Sequence, residues 1–264
     1  MLSFVFFVRR QRLSRLLVPA LLLGLVVVFL SWQVLAVSAQ GRQVPIYRVE
    51  TPQQAVAISF DASWGAEYTP LILDILDEYN VKTTFFLVNI WLEEYPDLAR
   101  EIVARGHELG LHSVSHPDFT TLSRSQMDRE LAGNFALIKE LTGYEPTLFR
   151  CPFGAYNNQV LQASREGGYT CVQWSKDSLD WKDLSAAEIL PRVTKNIQAG
   201  EIILFHNNGL HTAEALPQVL EYYKQQGLAV VPVGRLLLQG DWYVDANGVQ
   251  RSQTIQPNNP QAIQ

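Results

Sequence analysis

From Ala55 onward, short apolar runs alternate with stretches in which apolar residues recur every three or four positions. The apolar runs have the length and content of buried strands, and they span residues 55–60, 83–88, 107–112, 146–150, 169–174, 201–205 and 228–233. The periodic stretches between them predict helices at about 69–79, 96–105, 123–141, 157–166, 185–198 and 212–226. Pro96 in a first turn, and Ser123 and Ser185 at N-cap positions, support three of these helix starts.

Strands that alternate with helices predict a parallel α/β architecture. Seven such units in about 185 residues suit a small barrel better than an open sheet, so we expect a distorted (β/α) barrel of seven or eight strands at 55–240. Residues 41–54 are polar and contain proline, which is typical of a linker. Residues 241–264 end in a stretch without apolar periodicity and are expected to form a flexible tail.

Residues 1–40 differ in kind from the rest of the chain. Four arginines at positions 9, 10, 12 and 15 precede an apolar run of 22 residues, 16–37, which is long enough to span a bilayer. A secretory signal has a shorter apolar region, so we expect one transmembrane anchor with a cytoplasmic N-terminus and the domain outside the cell. The small residues before Gln40 leave an alternative open, in which cleavage near Ala39 releases a secreted protein.

The exported part is acidic. Without the four N-terminal arginines, 17 of the 21 basic residues remain against 26 acidic residues, a net charge of −9. This charge argues against nucleic acid as a partner. Two cysteines, Cys151 and Cys171, are too few for a disulfide framework. Both lie in apolar, strand-like stretches, which favours two buried thiols, although an exported protein could pair them.

Polar residues stand at the carboxyl ends of several predicted strands, where α/β barrels carry their active sites. Asp61, His112, Arg150 and His206 each end a strand, and the acids Asp177 and Asp180 follow another. One such residue would be an ordinary turn cap. Residues of catalytic type at the ends of four separate strands predict an active site on this face of the barrel.

The histidines of "HSVSH" are spaced four residues apart. If the turn after the strand is helical, His112 and His116 face the same way and can bind one metal ion. The alternative is a pair of hydrogen-bonded turn histidines. Arg150 also has two interpretations. A strand-end arginine beside a buried acid usually serves as the charge partner of that acid, whereas an isolated arginine is solvated.

Taken in order, "SFDASW", "HSVSH", "RCPFG", "DSLDW" and "LFH" resemble the five motifs of the NodB-homology polysaccharide deacetylases, carbohydrate esterase family 4. The resemblance runs from about residue 54 to residue 240, and four of the motifs match fully. The first, second and fourth segments look most like the membrane-anchored, PdaB-like deacetylases of spore-forming Gram-positive bacteria.

The resemblance implies a barrel of NodB type that hydrolyses N-acetyl groups of cell-wall polysaccharide with a divalent metal, usually zinc. It assigns Asp61 as the base, Arg150 as its charge partner, His206 as the acid and Asp180 as the carboxylate that keeps His206 protonated. His112 and His116 match metal ligands. The positions that match substrate contacts are Trp181, Leu204, Pro152 and Tyr156.

The first motif departs from the family pattern, because Ala62 stands where the family has a second, metal-binding Asp. Alanine cannot coordinate a metal, so the site needs waters, a neighbour such as Ser63 or Asn89, or Asp61 itself as the third ligand. Two functions therefore stay open. The chain is either a deacetylase, impaired at its metal site, or a catalytically inactive relative that binds glycan or assists envelope assembly.

Overall fold

The computed structural model describes residues 41–253. The expected membrane segment at 16–37, the alternative cleavage site near Ala39 and residues 254–264 of the expected tail lie outside the described residues. Within 41–253, no helix is both long and apolar enough to cross a bilayer.

One large sheet organises the domain, and every strand pair in it is parallel. Its strands are β2 (Ala55–Ala62), β3 (Thr84–Leu87), β4 (Glu108–Leu111), β5 (Leu148–Phe149), β6 (Thr170–Cys171), β7 (Lys176–Asp177), β8 (Ile202–His206) and β9 (Ala229–Val231). The spatial order is β6-β5-β4-β3-β2-β8-β7, and β9 also pairs with β2. The predicted parallel α/β fold is confirmed.

The sheet is strongly curled. Strands β6 and β7 lie at opposite ends of the spatial order, yet only residues 172–175 connect them. Five residue steps span at most about 18 Å, whereas seven strands in a flat sheet would separate the two ends by about 29 Å. The sheet must therefore bend toward a ring. Within the described residues β6 and β7 share no hydrogen-bonded pairing, so the barrel expected from the sequence is a curled, incompletely closed one.

Helices follow most strands, as predicted. They are α1 (Thr69–Glu78), α2 (Asn89–Glu94), α3 (Pro96–Ala104), α4 (Arg124–Thr142), α5 (Asn158–Glu166), α6 (Ala186–Thr194), α7 (Thr212–Gln225) and α8 (Val233–Leu236). Capping boxes begin α4 at Ser123 and α6 at Ser185, which confirms the two N-cap predictions. Helix α6 ends at Thr194 instead of residue 198, and the short α2 and α8 were not predicted.

Strand β2 is buried along its whole length and divides the core into two layers. Ile58, Phe60 and Ala62 belong to the larger hydrophobic cluster, together with side chains of the surrounding helices. Ala55 and Ala57 belong to a second, smaller cluster. Because side chains alternate along a strand, Asp61 points to the face opposite Ala62. This alternation places Asp61 among the polar groups at the strand ends.

The predicted linker and the predicted flexible tail are wrong in part, because they form a small second sheet. Strand β1 (Arg48–Val49) pairs in parallel with β11 (Val249–Ser252), which pairs antiparallel with β10 (Trp242–Val244). Val49 and Val249 are buried in it. Each strand is so short that its apolar residues give no visible periodicity, and the pairing joins segments 201 residues apart.

Candidate active site

A cleft of about 540 Å³ opens at the carboxyl ends of the parallel strands. The residues that line it are Asp61, Ser63, Trp64, His112, His116, Phe153, Gly154, Trp174, Asp177, Trp181, Leu204, His206 and Asn208. They come from six separate strand ends and the loops that follow. The structure thus brings most of the predicted site residues to one place, on the face where α/β barrels hold their active sites.

Asp61 and His206 are register partners on the neighbouring parallel strands β2 and β8. Asp61 is buried, and its Oδ1 accepts a hydrogen bond of 2.7 Å from Nη1 of Arg150. Burial opposes ionisation of Asp61, but the charge and hydrogen bond of Arg150, with smaller contributions from His112 and His206, together outweigh it and hold the pKa of Asp61 below its ordinary value of 3.8. Asp61 is therefore an ionised acceptor of protons at neutral pH.

Arg150 is fully buried beneath the cleft. Its guanidinium carbon lies 4.1 Å from the centroid of the Phe86 ring, and its Nη2 donates to the carbonyl oxygen of Gln173 at 3.2 Å. A planar, stacked guanidinium with two fixed acceptors cannot rotate freely. Arg150 therefore fixes the orientation of the Asp61 carboxylate, as the sequence predicted for a buried charge partner.

His206 and Asp180 form a second charge pair. Nδ1 of His206 lies 2.7 Å from Oδ1 of Asp180, while Oδ2 of Asp180 accepts from the backbone N–H of His206 and from Oγ1 of Thr212. Burial disfavours the charged imidazole, but the hydrogen bond and charge of Asp180 raise the pKa of His206 above 6.5. The ring is thus held as a proton donor whose Nε2 is directed away from Asp180. Thr212 was not singled out from the sequence.

The turn that carries His112 and His116 is not helical, which corrects the sequence-based expectation. The two rings meet, with centroids 4.9 Å apart, because Ser113 and His116 adopt left-handed backbone angles, φ 82° and 55°. Asn134 and Glu130 of α4 hold this strained turn by accepting from four consecutive backbone N–H groups, those of residues 112–115. Asn134 lies on the buried face of α4, and a polar residue on an apolar face was the sequence signal for it.

The histidines have the chemistry of metal ligands. Nδ1 of His112 donates to the carbonyl oxygen of Arg150 at 2.8 Å, which leaves Nε2 as the acceptor, 3.5 Å from Oδ2 of Asp61. Burial lowers the pKa of His112 and lowers that of His116 to about 4, so both rings are neutral at pH 7. Two acceptor atoms that face each other favour a cation or a water hydrogen between them.

The donor set does not fit a zinc site with three protein ligands. Among residues 41–253, no group of three His, Cys, Asp or Glu side chains is arranged to hold a metal ion. Ala62 is buried and its methyl group belongs to the hydrophobic cluster. Of the substitutes named from the sequence, Ser63 lines the cleft, but Oδ1 of Asn89 already accepts from Nδ2 of Asn134. Asp61 as a ligand would no longer be free to act as a base.

Two of the four predicted substrate contacts lie at the cleft. Trp181, 56% exposed, and Leu204 line it. Pro152 and Tyr156 do not line it: Pro152 is buried, and the Tyr156 hydroxyl lies 3.3 Å from that of Tyr47.

Sequence reasoning missed two exposed aromatic residues at the cleft mouth. Trp64 and Phe153 each contact the His116 ring, with ring centroids 5.1 Å and 4.5 Å away. Both rings are more than half exposed. The sequence signal for Trp64 and Phe153 was a large apolar side chain next to the polar residues of each motif. The two rings together give the cleft an aromatic rim.

Comparisons with known proteins agree with the geometry. A family model described as polysaccharide deacetylase matches residues 48–172. The chain is 32% identical, over 196 residues, to a peptidoglycan-N-acetylglucosamine deacetylase of Bacillus cereus. The aligned region covers 72% of this chain and 92% of that protein.

Solved structures give the same result and add a qualification. A protein from Bacillus anthracis, described as a CE4 family pseudoenzyme, superposes with a TM-score of 0.71 at 33% identity, over 73% of this chain and 68% of that one. A mutant of that protein, described as having restored enzymatic activity, superposes equally well, at 34% identity over 73% and 71% of the two chains.

Proposed function

The chain belongs to the polysaccharide deacetylase family. From this premise we propose that it removes N-acetyl groups from cell-wall polysaccharide. We propose also that the rate is limited by the metal ligand that is missing at Ala62. One observation carries the proposal: two charge pairs, the buried pair of Arg150 with Asp61 and the pair of buried Asp180 with partly exposed His206, meet at one cleft. Each pair holds its cleft-facing member in the protonation state that amide hydrolysis requires.

Amide hydrolysis needs a base early and an acid late. Asp61, kept ionised by Arg150, can accept a proton from a water molecule in the cleft. His206, kept protonated by Asp180, can give a proton to the leaving amine. Since Asp61 and His206 are register partners on adjacent strands, one acetamido group can reach both. Trp181 and Leu204 supply apolar walls for its methyl group.

The remaining requirement is stabilisation of the negative charge on the carbonyl oxygen. A divalent metal, when bound, supplies this charge stabilisation and a more acidic water. Because no group of three His, Cys, Asp or Glu side chains among residues 41–253 is arranged to hold a metal ion, we assign no step to a metal, and we expect weak metal affinity and slow turnover.

A second candidate function is glycan binding without turnover. Ala62 favours it, and so does the likeness to a protein described as a pseudoenzyme. The aromatic rim of Trp64, Phe153 and Trp181 suits stacking against sugar rings whether or not hydrolysis follows. The substrate class under either proposal is N-acetylated glycan, since relatives are named as peptidoglycan-N-acetylglucosamine and chitooligosaccharide deacetylases.

The test combines acetate release with binding. Purified protein is incubated with N-acetylglucosamine oligomers and with peptidoglycan fragments, with and without excess zinc, beside Asp61→Asn and His206→Asn. Slow release that rises with zinc and is abolished in both variants supports the deacetylase. Tryptophan fluorescence changes on glycan binding, without release under any condition, support the second candidate. Absence of both signals refutes both.

We also propose that the segment at 16–37 holds the domain on the outer side of the cell membrane, a prediction that rests on the sequence alone. Protease added to intact protoplasts should remove the domain. Survival of the domain under that treatment would reverse the topology, and mature protein that starts at Gln40 would show a cleaved signal.

A further inference from the structure

The two cysteines of the chain meet in the larger hydrophobic cluster, beside the strand end that carries Arg150. Cys151 follows Arg150 at the end of β5, and Cys171 ends the neighbouring strand β6. Their sulfur atoms lie 3.5 Å apart, and both are free thiols. Each side chain is buried, as the sequence indicated, and their shared hydrogen bond raises the pKa of Cys151. The sulfurs are thus already in contact.

We propose that Cys151 and Cys171 form an intrachain disulfide when a disulfide oxidant reaches them, and that this bond fixes the backbone which holds Arg150 and His112. A disulfide needs a sulfur–sulfur distance of about 2.05 Å. The two sulfurs must therefore approach by about 1.5 Å, a movement that small rotations of two side chains on adjacent strands can share.

The position of the pair links it to the site. The carbonyl oxygen of Arg150, one residue before Cys151, accepts from Nδ1 of His112 at 2.8 Å. The carbonyl oxygen of Gln173, two residues after Cys171, accepts from Nη2 of Arg150 at 3.2 Å. A bond between the two sulfurs would join the two segments that carry these carbonyl groups. Oxidation would then restrict the orientation of the His112 ring and of the Arg150 guanidinium together.

The reaction is a thiol–disulfide exchange that balances without another reactant. The thiolate of Cys171, which is 9% exposed whereas Cys151 is fully enclosed, attacks one sulfur of a small symmetric disulfide and releases one thiol. The thiolate of Cys151 then attacks the sulfur of Cys171 and releases the second thiol. Two protein thiols are oxidised, one external disulfide is reduced, and no group is left on the protein.

The experiment uses the full chain and 2-hydroxyethyl disulfide, followed by mass spectrometry and by thiol counting after denaturation. We expect the wild-type protein to lose about two mass units and both thiols, with no adduct and no dimer, since the product is an internal bond. Closure of a 20-residue loop should raise Tm by about 5–10 °C. None of these readouts requires deacetylase activity, so they succeed or fail separately from the proposed function.

Two single variants identify the order of attack. Cys151→Ser should trap a stable mixed disulfide at Cys171, because the resolving thiol is gone, whereas Cys171→Ser should leave the enclosed Cys151 unreacted. Cys151→Ala and Cys171→Ala replace these variants if either serine variant does not fold. Two thiols that persist in the treated wild type, or an adduct or dimer as its product, would overturn the proposal. Unchanged NMR shifts of the His112 ring between the two forms, with His211 as reference, would overturn its link to the site.

Discussion

The guanidinium of Arg150 donates to the carboxylate of Asp61 at 2.7 Å, and both side chains are shielded from solvent. Removal of one member of such a pair leaves an uncompensated buried charge. We therefore expect Arg150→Ala to lower the free energy of unfolding by about 3–5 kcal/mol, measured by urea denaturation at pH 7.

Asp61→Asn in the Arg150→Ala background supplies the check on that explanation. If the unpaired carboxylate is the main defect, the double variant should recover part of the lost stability. Arg124→Ala, which removes two half-exposed ion pairs, with Asp128 on α4 and with Glu166 on α5, serves as the matched control and should change stability little. Equal losses in the buried and the exposed arginine variants would show that the charge pair is not what stabilises this region.

The acid half of the site makes a prediction about protonation. Asp180 raises the pKa of His206, so Asp180→Asn should lower that pKa, as followed by NMR titration of the imidazole. A histidine with a raised pKa adds stability below pH 6.5 and loses it as the pH rises through the folded-state value. The free energy of unfolding of Asp180→Asn should therefore be lower than that of the wild type in acid, and the difference should disappear in alkaline solution. Glu214→Gln beside the exposed His211 is the control and should leave His206 unchanged.

The position of the candidate catalytic residues at the strand ends could be predicted from the sequence, because parallel strands direct their carboxyl ends to one face. Asp61 and His206 needed only that rule to be placed together. The turn between His112 and His116 could not be predicted, since it depends on Asn134 and Glu130, which lie in a helix 15 to 22 residues further along the chain. Local sequence favoured a helical turn, and these long-range acceptors impose a left-handed one.

Asn134 should therefore affect both stability and the geometry of the histidines. Its Oδ1 accepts from the backbone of His112 and Ser113, and its Nδ2 donates to the carbonyl oxygen of Leu87. Asn134→Leu leaves these groups buried without partners, which costs roughly 1–3 kcal/mol for each group that water cannot reach. Chemical denaturation and the NMR shifts of His112 measure the two effects. Asn134→Asp keeps the acceptor and should preserve the His112 shifts, so equal disturbance by both variants would contradict this role.

His107 should make the domain sensitive to acid. Burial lowers the pKa of His107 to about 4, and its Nδ1 accepts from the backbone N–H of Thr83. The unfolded chain binds a proton at this residue below about pH 6.5, whereas the folded protein does so only near pH 4. Stability is therefore lost as the pH falls through this window, by up to about 1.4 kcal/mol per pH unit.

His107→Asn tests this prediction because the amide oxygen can replace the Nδ1 acceptor without titrating. The free energy of unfolding of the variant should depend less on pH between about 6.5 and 4 than that of the wild type. His211→Asn, at an exposed position, should follow the wild-type curve. Parallel curves for the wild type and His107→Asn would assign the acid sensitivity to other groups.

Ala62→Asp gives the most direct test of whether a missing metal ligand limits the site. The substitution restores the carboxylate that the family has at this position, but that carboxylate must turn from the hydrophobic cluster that holds the Ala62 methyl group toward the cleft and Asp61 to reach a metal. Without metal, burial and the like charge of Asp61 should destabilise the variant and raise the pKa of Asp61. With zinc, the added ligand should raise affinity by at least ~10–100-fold relative to the wild type. The thermal stability of the variant should therefore increase with zinc concentration much more than that of the wild type.

Ala62→Asn is the matched control, because it adds similar volume without the charge that favours a divalent cation. Calorimetric zinc titration and acetate release are measured on all three proteins. Tight zinc binding and faster release in Ala62→Asp alone, with release lost again on Asp61→Asn, would show that one missing ligand limits a site that is otherwise able to catalyse. Tight binding without any release would place the defect elsewhere in the cleft and favour glycan binding, since Asp61 and His206 would then be correctly placed beside a bound metal and still not hydrolyse the amide.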